Sequence, residues 1–304
     1  MHSFLSPDRG SVVLFGLIIM LTVILAMPAW VFAYSANSDN KNLSLNGVNL
    51  SLRVLLQGAY QPETGLMNAG LKSNDILPVD QPYNIAPFDY SGSEQLTATV
   101  LAMTEQDEVV DWLLLEIRET VTPFSLVAQQ AVMLQRDGDV VAPDDAGVVL
   151  NFPGVASGSY RVAIRHRSHL GVLSGEALSL TSDVTFVDFS LPQTSVAGTN
   201  ARVISGQAAL LWVGDANQDE RLIASGVGND SNVLLSRILQ AAGNSGFNSS
   251  YILNGYLSGD LNMDGKTVYT GPGNDTNLLV FNILSHPENS AFASNFIVKT
   301  DVDF

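Results

Sequence analysis

Cysteine is absent from this chain of 304 residues. That excludes disulfides, thiolate catalysis, zinc–thiolate centres and iron–sulfur clusters. Basic residues are scarce: 14 Lys and Arg stand against 30 Asp and Glu, a formal net charge of −16. Nucleic acids and anionic membrane surfaces need clustered positive charge, so neither suits this chain as a partner. Catalytic signatures are missing as well. No nucleophile elbow, phosphate-binding Gly loop or HExxH pattern occurs. A paired-carboxylate glycosidase leaves no such local trace, because its two acids need no sequence proximity. What is present is a sparsely charged sequence, 14% charged and 46% hydrophobic, able to bury a core. An exported chain without disulfides must be held by packing, by metal or by assembly.

The N-terminus carries an address. Residues 1–10 are polar with Arg9 as the positive charge, and residues 11–27 are apolar without a break. Pro28 follows, then Val31-Phe32-Ala33, which fits a signal-peptidase site. Residues 1–33 therefore read as a signal peptide. The other reading is a retained membrane helix, since the apolar stretch through Ala33 is long enough to span a bilayer. The short leader ending Arg9-Gly10 also resembles pilin-type subunits, without their early acidic residue. Both readings place the rest of the chain outside the cytoplasm, secreted or at the cell surface, where calcium is abundant.

Residues 34–47 read as a flexible lead-in. From residue 48 to 190, short apolar runs alternate with turn signals: Val48–Leu56, Val109–Ile117, Leu126–Leu134, Val148–Phe152, Tyr160–Ile164 and Val184–Phe189. Arg136-Asp137-Gly138-Asp139 signals a hairpin, and residues 57–93 read as a long irregular loop. This pattern predicts a mainly β fold, an antiparallel, Ig-like β-sandwich. Residues 191–207 have the texture of a linker. Arg165-His166-Arg167-Ser168-His169 reads as a solvated strand end, with Arg165, Arg167 and His169 on one face and His166 and Ser168 on the other. The other reading of that cluster is an anion or glycan contact. His286, before Pro287, reads as a helix C-terminal cap.

The strongest signal lies further on. Residues 214–239 (GDANQDERLIASGVGNDSNVLLSRIL) and 259–284 (GDLNMDGKTVYTGPGNDTNLLVFNIL) align without a gap at an offset of 45. Asp215, Asn217, Asp219 and Asp230 recur as Asp260, Asn262, Asp264 and Asp275. Calcium takes oxygen ligands, and Asp-x-Asn-x-Asp sets three oxygen-bearing side chains on alternate residues of a tight loop. The backbone carbonyls of Arg221 and Lys266 supply the next expected ligand. Asp230 and Asp275 then return from the start of a helix, where a carboxylate also suits the helix dipole. In the EF-hand pattern the closing acid is the twelfth residue; here it is the sixteenth in both copies. Gly265 occupies the sharp bend of the second loop and Glu220 that of the first. A positive φ at Glu220 costs about 1 kcal/mol, so the first site is expected to be the weaker.

These duplicated loop-helix units resemble the calcium-binding repeats of the dockerin type I family over about residues 208–290. The resemblance rests on Asp215, Asn217, Asp219, Asp230, Asp260, Asn262, Asp264 and Asp275. It implies a small α domain holding two calcium ions, followed by a tail at 291–304, and a cohesin-like partner. The inserted residues and long repeat spacing depart from the family pattern, and no match to its partner-recognition pair is found. A β-sandwich followed by such a pair also looks like secreted bacterial surface proteins. The expected function is a non-catalytic, calcium-stabilised binding or adhesion module with a protein or glycan ligand. The alternatives are a self-assembling subunit of a filament or surface layer that keeps its N-terminal helix, and a polysaccharide-acting enzyme.

Overall fold

A computed structural model describes residues 47–300, 302 and 304. The signal or anchor segment and the lead-in up to residue 46 lie outside the described residues. Strands dominate in the order β1 (Val48–Arg53), β2 (Tyr60–Gln61), β3 (Leu66–Met67), then the single-turn helices α1 (Gly70–Ser73) and α2 (Ala98–Leu101). Next come β4 (Val109–Arg118), β5 (Leu126–Gln135), β6 (Asp139–Val141), β7 (Leu150–Phe152), β8 (Gly158–Arg165), β9 (Val172–Leu173), β10 (Leu178–Leu180) and β11 (Val184–Asp188). The hairpin β12 (Arg202–Ser205) and β13 (Ala208–Leu211) leads to the repeats: β14 (Arg221–Leu222), α3 (Asp230–Gln240) and β15 (Leu253–Asn254), then β16 (Lys266–Thr267), α4 (Asp275–Ser285) and β17 (Val298–Lys299).

The fold is mainly β with antiparallel pairing, as the strand pattern predicts. One sheet runs β10-β8-β4-β5-β6-β1-β11, with β7 beside β1 and β9 beside β8. Its pairs are antiparallel except β1–β11, which is parallel. The two ends of this path, β10 and β11, are joined by residues 181–183 alone, so the sheet must curl until its edges meet. Asn49 N–H donates to the Thr181 carbonyl at 3.0 Å, and Thr185 Oγ1 donates to the Ser179 carbonyl at 3.2 Å, across that seam.

β4 is buried along its whole length because both its faces are covered. Leu113, Leu115 and Ile117 join Leu50, Leu52, Val132, Leu134, Val162 and Ile164 in the larger core. Trp112 and Leu114 point the other way, into a second core with Tyr83, Phe88, Tyr90, Leu96 and Val100. A continuous apolar run is what a doubly covered strand requires. The irregular stretch expected at 57–93 supplies much of that second cover. Trp112 Nε1 donates to the Pro78 carbonyl at 2.9 Å, and the Tyr83 hydroxyl donates to the Trp112 carbonyl at 2.7 Å.

Residues 191–207, expected as a linker, include β12. Its partner β13 runs straight into the sheet region: the Leu211 N–H donates to the Leu55 carbonyl at 2.9 Å, and Leu211 lies in the larger core with Met263 of the second repeat. The described residues fall within one compact unit, Leu43–Phe304. Among them no helix is long and apolar enough to cross a membrane.

Candidate metal centre

Each repeat folds around its acids by the same set of bonds. In the first loop, Asp215 is buried, its Oδ1 accepting from the Asp219 N–H at 3.0 Å and its Oδ2 from the Glu220 N–H at 3.0 Å. Asn217 Oδ1 accepts from the Asp219 N–H at 3.1 Å, and Asp219 Oδ1 from the Arg221 N–H at 3.1 Å. Asp230 returns from the first turn of α3, its Oδ1 accepting from Ala216 at 2.8 Å and Asn217 at 3.2 Å, its Oδ2 from Ile223 at 2.8 Å. Asn229 caps the helix by accepting from the Asn232 N–H at 2.8 Å, which places Asp230 where loop and helix dipole both favour it.

The second loop repeats this wiring atom for atom. Asp260 accepts from Asp264 at 3.1 Å and Gly265 at 2.8 Å. Asn262 accepts from Asp264 at 3.0 Å, and Asp264 from Lys266 at 2.9 Å. Asp275 accepts from Leu261 at 2.7 Å, Asn262 at 3.2 Å and Val268 at 2.7 Å. Asn274 caps α4 through the Asn277 N–H at 2.9 Å. The structure thus brings Asp215, Asn217, Asp219 and Asp230 together in one loop and Asp260, Asn262, Asp264 and Asp275 in the other. Arg221 and Lys266 open β14 and β16, with exposed side chains.

Among the described residues, none of the six loop aspartates forms an ion pair. Burial, followed by repulsion from Glu220 and Asp230, pushes Asp215 well above the usual carboxylate range. Burial pushes Asp230 and Asp260 up to about 7 and Asp275 to about 6. Burial is the largest cause in each case; around Asp215 the acids Glu220 and Asp230 add to it, and around Asp260 the Arg167 guanidinium opposes it. That donor set, all oxygen and without an ion pair to any loop aspartate among the described residues, fits a hard cation. Among the described residues no three His, Asp or Glu side chains are gathered as a metal-holding group of their own, so amide and backbone oxygens must complete any shell.

The repeat also extends beyond the aligned segments. Asn244 donates to the carbonyls of Ile238 and Asn248, at 2.8 and 2.9 Å; at the same offset Asn289 donates to Ile283 and Ala293, at 2.7 and 2.9 Å. Residues 291–299, expected as part of a tail, continue the second copy. Asn-Ser-x-Phe at 244–247 and 289–292 is the signal that marks this extension. β15 pairs with β16, whereas β17 pairs with β14, so each copy's last strand lies against the other copy's loop.

The loops differ in how they meet the sheet. Glu220 has φ +61° and Gly265 φ +83°, so both bends are left-handed as their position demands. The Glu220 carboxylate has a further use. Its Oε1 lies 3.1 Å from Arg165 Nε and its Oε2 accepts from the Gly171 N–H at 2.8 Å. At Gly265 a Cβ would stand 2.5 Å from Ile76 Cδ1, and Asn74 Nδ2 donates to the neighbouring Asp264 carbonyl at 3.0 Å. Gly58 allows equally close approach: a Cβ there would meet the Leu261 carbonyl at 2.0 Å.

The cluster Arg165-His166-Arg167-Ser168-His169 is not a solvated strand end. All five residues are buried. β8 stops at Arg165, so the chain ceases to alternate and the next four residues wedge between sheet and repeats. The Ser168 carbonyl accepts from the Gly214 and Asp215 N–H groups at 3.0 and 3.2 Å, seating the first loop. Arg167 donates to the Leu257 carbonyl and to Asp111 Oδ2, the latter at 3.1 Å, while the Tyr256 hydroxyl reaches Asp111 Oδ1 at 2.6 Å. Burial pushes Asp111 up, but Arg167, His166 and Tyr256 outweigh it and hold it below its ordinary value.

The two imidazoles have defined protons. The Gly58 N–H donates to His169 Nε2 at 3.1 Å, so that nitrogen carries the lone pair. The His169 proton therefore sits on Nδ1 and is donated to His166 Nδ1 at 2.8 Å. The His166 proton then sits on Nε2, facing Asp111 Oδ2 at 3.0 Å. Burial lowers both imidazole pKa values and keeps the rings neutral. Ser168 Oγ lies 3.4 Å from His166 Nδ1, giving a Ser-His-Asp order of contacts. These residues are sealed from solvent.

Compared with known proteins, the chain matches no family model, no curated sequence and no solved structure.

Proposed function

We propose that this is an extracytoplasmic, non-catalytic binding or adhesion module whose C-terminal repeats each hold one calcium ion. One observation carries the reading: two sequence-matched loops fold the same bonds around three aspartates, none of which forms an ion pair among the described residues. Asp215, Asn217, Asp219, the Arg221 carbonyl and Asp230 would hold one ion. Asp260, Asn262, Asp264, the Lys266 carbonyl and Asp275 would hold the other. Calcium there neutralises the aspartates and fixes shape. The dockerin-like character of the repeats and the Ig-like sandwich character of the β part belong to this reading. The ligand is a protein or a glycan; a cohesin-like partner and self-assembly are the two forms of protein contact proposed.

Calorimetric titration of the chelated protein with calcium tests this. Two bound ions and a rise in melting temperature are expected, because a ligand that binds only the folded state stabilises it by mass action. An unchanged melting curve with no binding heat overturns the reading.

A further inference from the structure

We infer that the two loops order and load as a coupled pair, because each is completed by the end of the other repeat. This rests on the calcium reading above for its metal and on strand pairing for its mechanism. β14 of the first loop pairs with β17, Arg221 opposite Lys299 and Leu222 opposite Val298. β16 of the second loop pairs with β15, Leu253 opposite Thr267 and Asn254 opposite Lys266. The paired residues are flanked by the amides that grip the acids. Arg221 and Ile223 donate to Asp219 and Asp230; Lys266 and Val268 donate to Asp264 and Asp275.

The path therefore closes. The first loop leads through α3 to β15, which lies on the second loop; the second leads through α4 to β17, which lies on the first. Leu222, Leu234, Leu261, Leu279 and Val298 share one core, so the circuit is packed as well as paired. An ion that fixes the second loop fixes β15, the far end of the segment that begins at Asp230. The first site is then already partly ordered and loses less conformational freedom on binding, which is positive coupling between sites.

The lack of cysteine gives a clean test. In the full chain, the double substitution Arg221→Cys and Lys299→Cys places two thiols on directly opposed residues of an antiparallel pair, within reach of a disulfide. Both side chains are exposed, so the variant keeps its core. Oxidation locks β17 onto the first loop. The expected result is slower amide exchange at Gly265 and Val268 of the second loop, and second-site calcium affinity raised by about tenfold, both reversed by reduction. Protection and affinity gains confined to the first loop overturn the coupling. If neither form binds calcium, the calcium reading fails, and exchange at Gly265 and Val268 alone decides the proposal.

Discussion

The two loops agree in the bonds their acids make to the loop backbone and differ in the bonds they make to the rest of the chain. Internally, the same aspartates take the same amides within a few tenths of an ångström. Externally, the first loop anchors through a charged side chain, Glu220 on Arg165, and the second through bare backbone against Ile76 and Asn74. Loop-forming chemistry is thus separable from docking chemistry. One can be duplicated unchanged while the other is adapted to whichever part of the sheet lies opposite.

The largest expected effect probes the shared part. Asp230→Ala and Asp275→Ala each strand two buried amides and one half-buried amide, and each should cost about 3–5 kcal/mol in chemical denaturation without metal. Nearly equal losses support the equivalence of the loops; a loss at one site alone breaks it.

A smaller effect probes the difference. Gly265→Ala should destabilise by about 2–3 kcal/mol, through a non-Gly residue at positive φ and a clash with Ile76. Glu220→Gly relieves about 1 kcal/mol of backbone strain but leaves buried Arg165 without that partner and the Gly171 N–H unmet. A net loss of about 1–2 kcal/mol is expected. A stabilised Glu220→Gly protein would show that the residue is only a strained substitute for glycine.

The smallest effect sets the loops against the His166–His169 hub. The hub imidazoles are held below their ordinary pKa, so below about pH 6.5 the unfolded chain takes up protons that the folded chain refuses, and stability falls as pH drops. The metal-free loop acids have the opposite sign. With folded values near 6 to 7 against about 4 unfolded, they bind protons in the folded state and gain stability as pH drops from about 7 toward 4. On the proposed calcium reading, bound metal removes the second contribution. Urea midpoints between pH 7 and 5 should fall more steeply with calcium than with chelator, and equal slopes would remove the distinction.

What was legible in the sequence follows the same division. Asp-x-Asn-x-Asp and the matched Asn-Asp before each helix dictate local bonds, so both loops could be assigned residue by residue. The apolar run of β4 announced a buried strand because its own side chains fill both cores. The hub was misread because its partners are remote: Asp111 precedes His166 by 55 residues and Tyr256 follows 145 residues after Asp111. Glu220 looked like a defect for the same reason, since Arg165 lies 55 residues earlier. Alternation assumes that a strand continues, and β8 ends where the informative residues begin.

The reciprocal placing of β15 and β17 also sets this pair of repeats apart from an open array. In an open solenoid each unit offers a free face to the next, and the array grows by adding copies. Here both loop strands already have partners, and the last strand returns to the first loop. Among the described residues the two copies close on each other, strand to loop, so each copy's end is held by its sister and not by a further neighbour in a row.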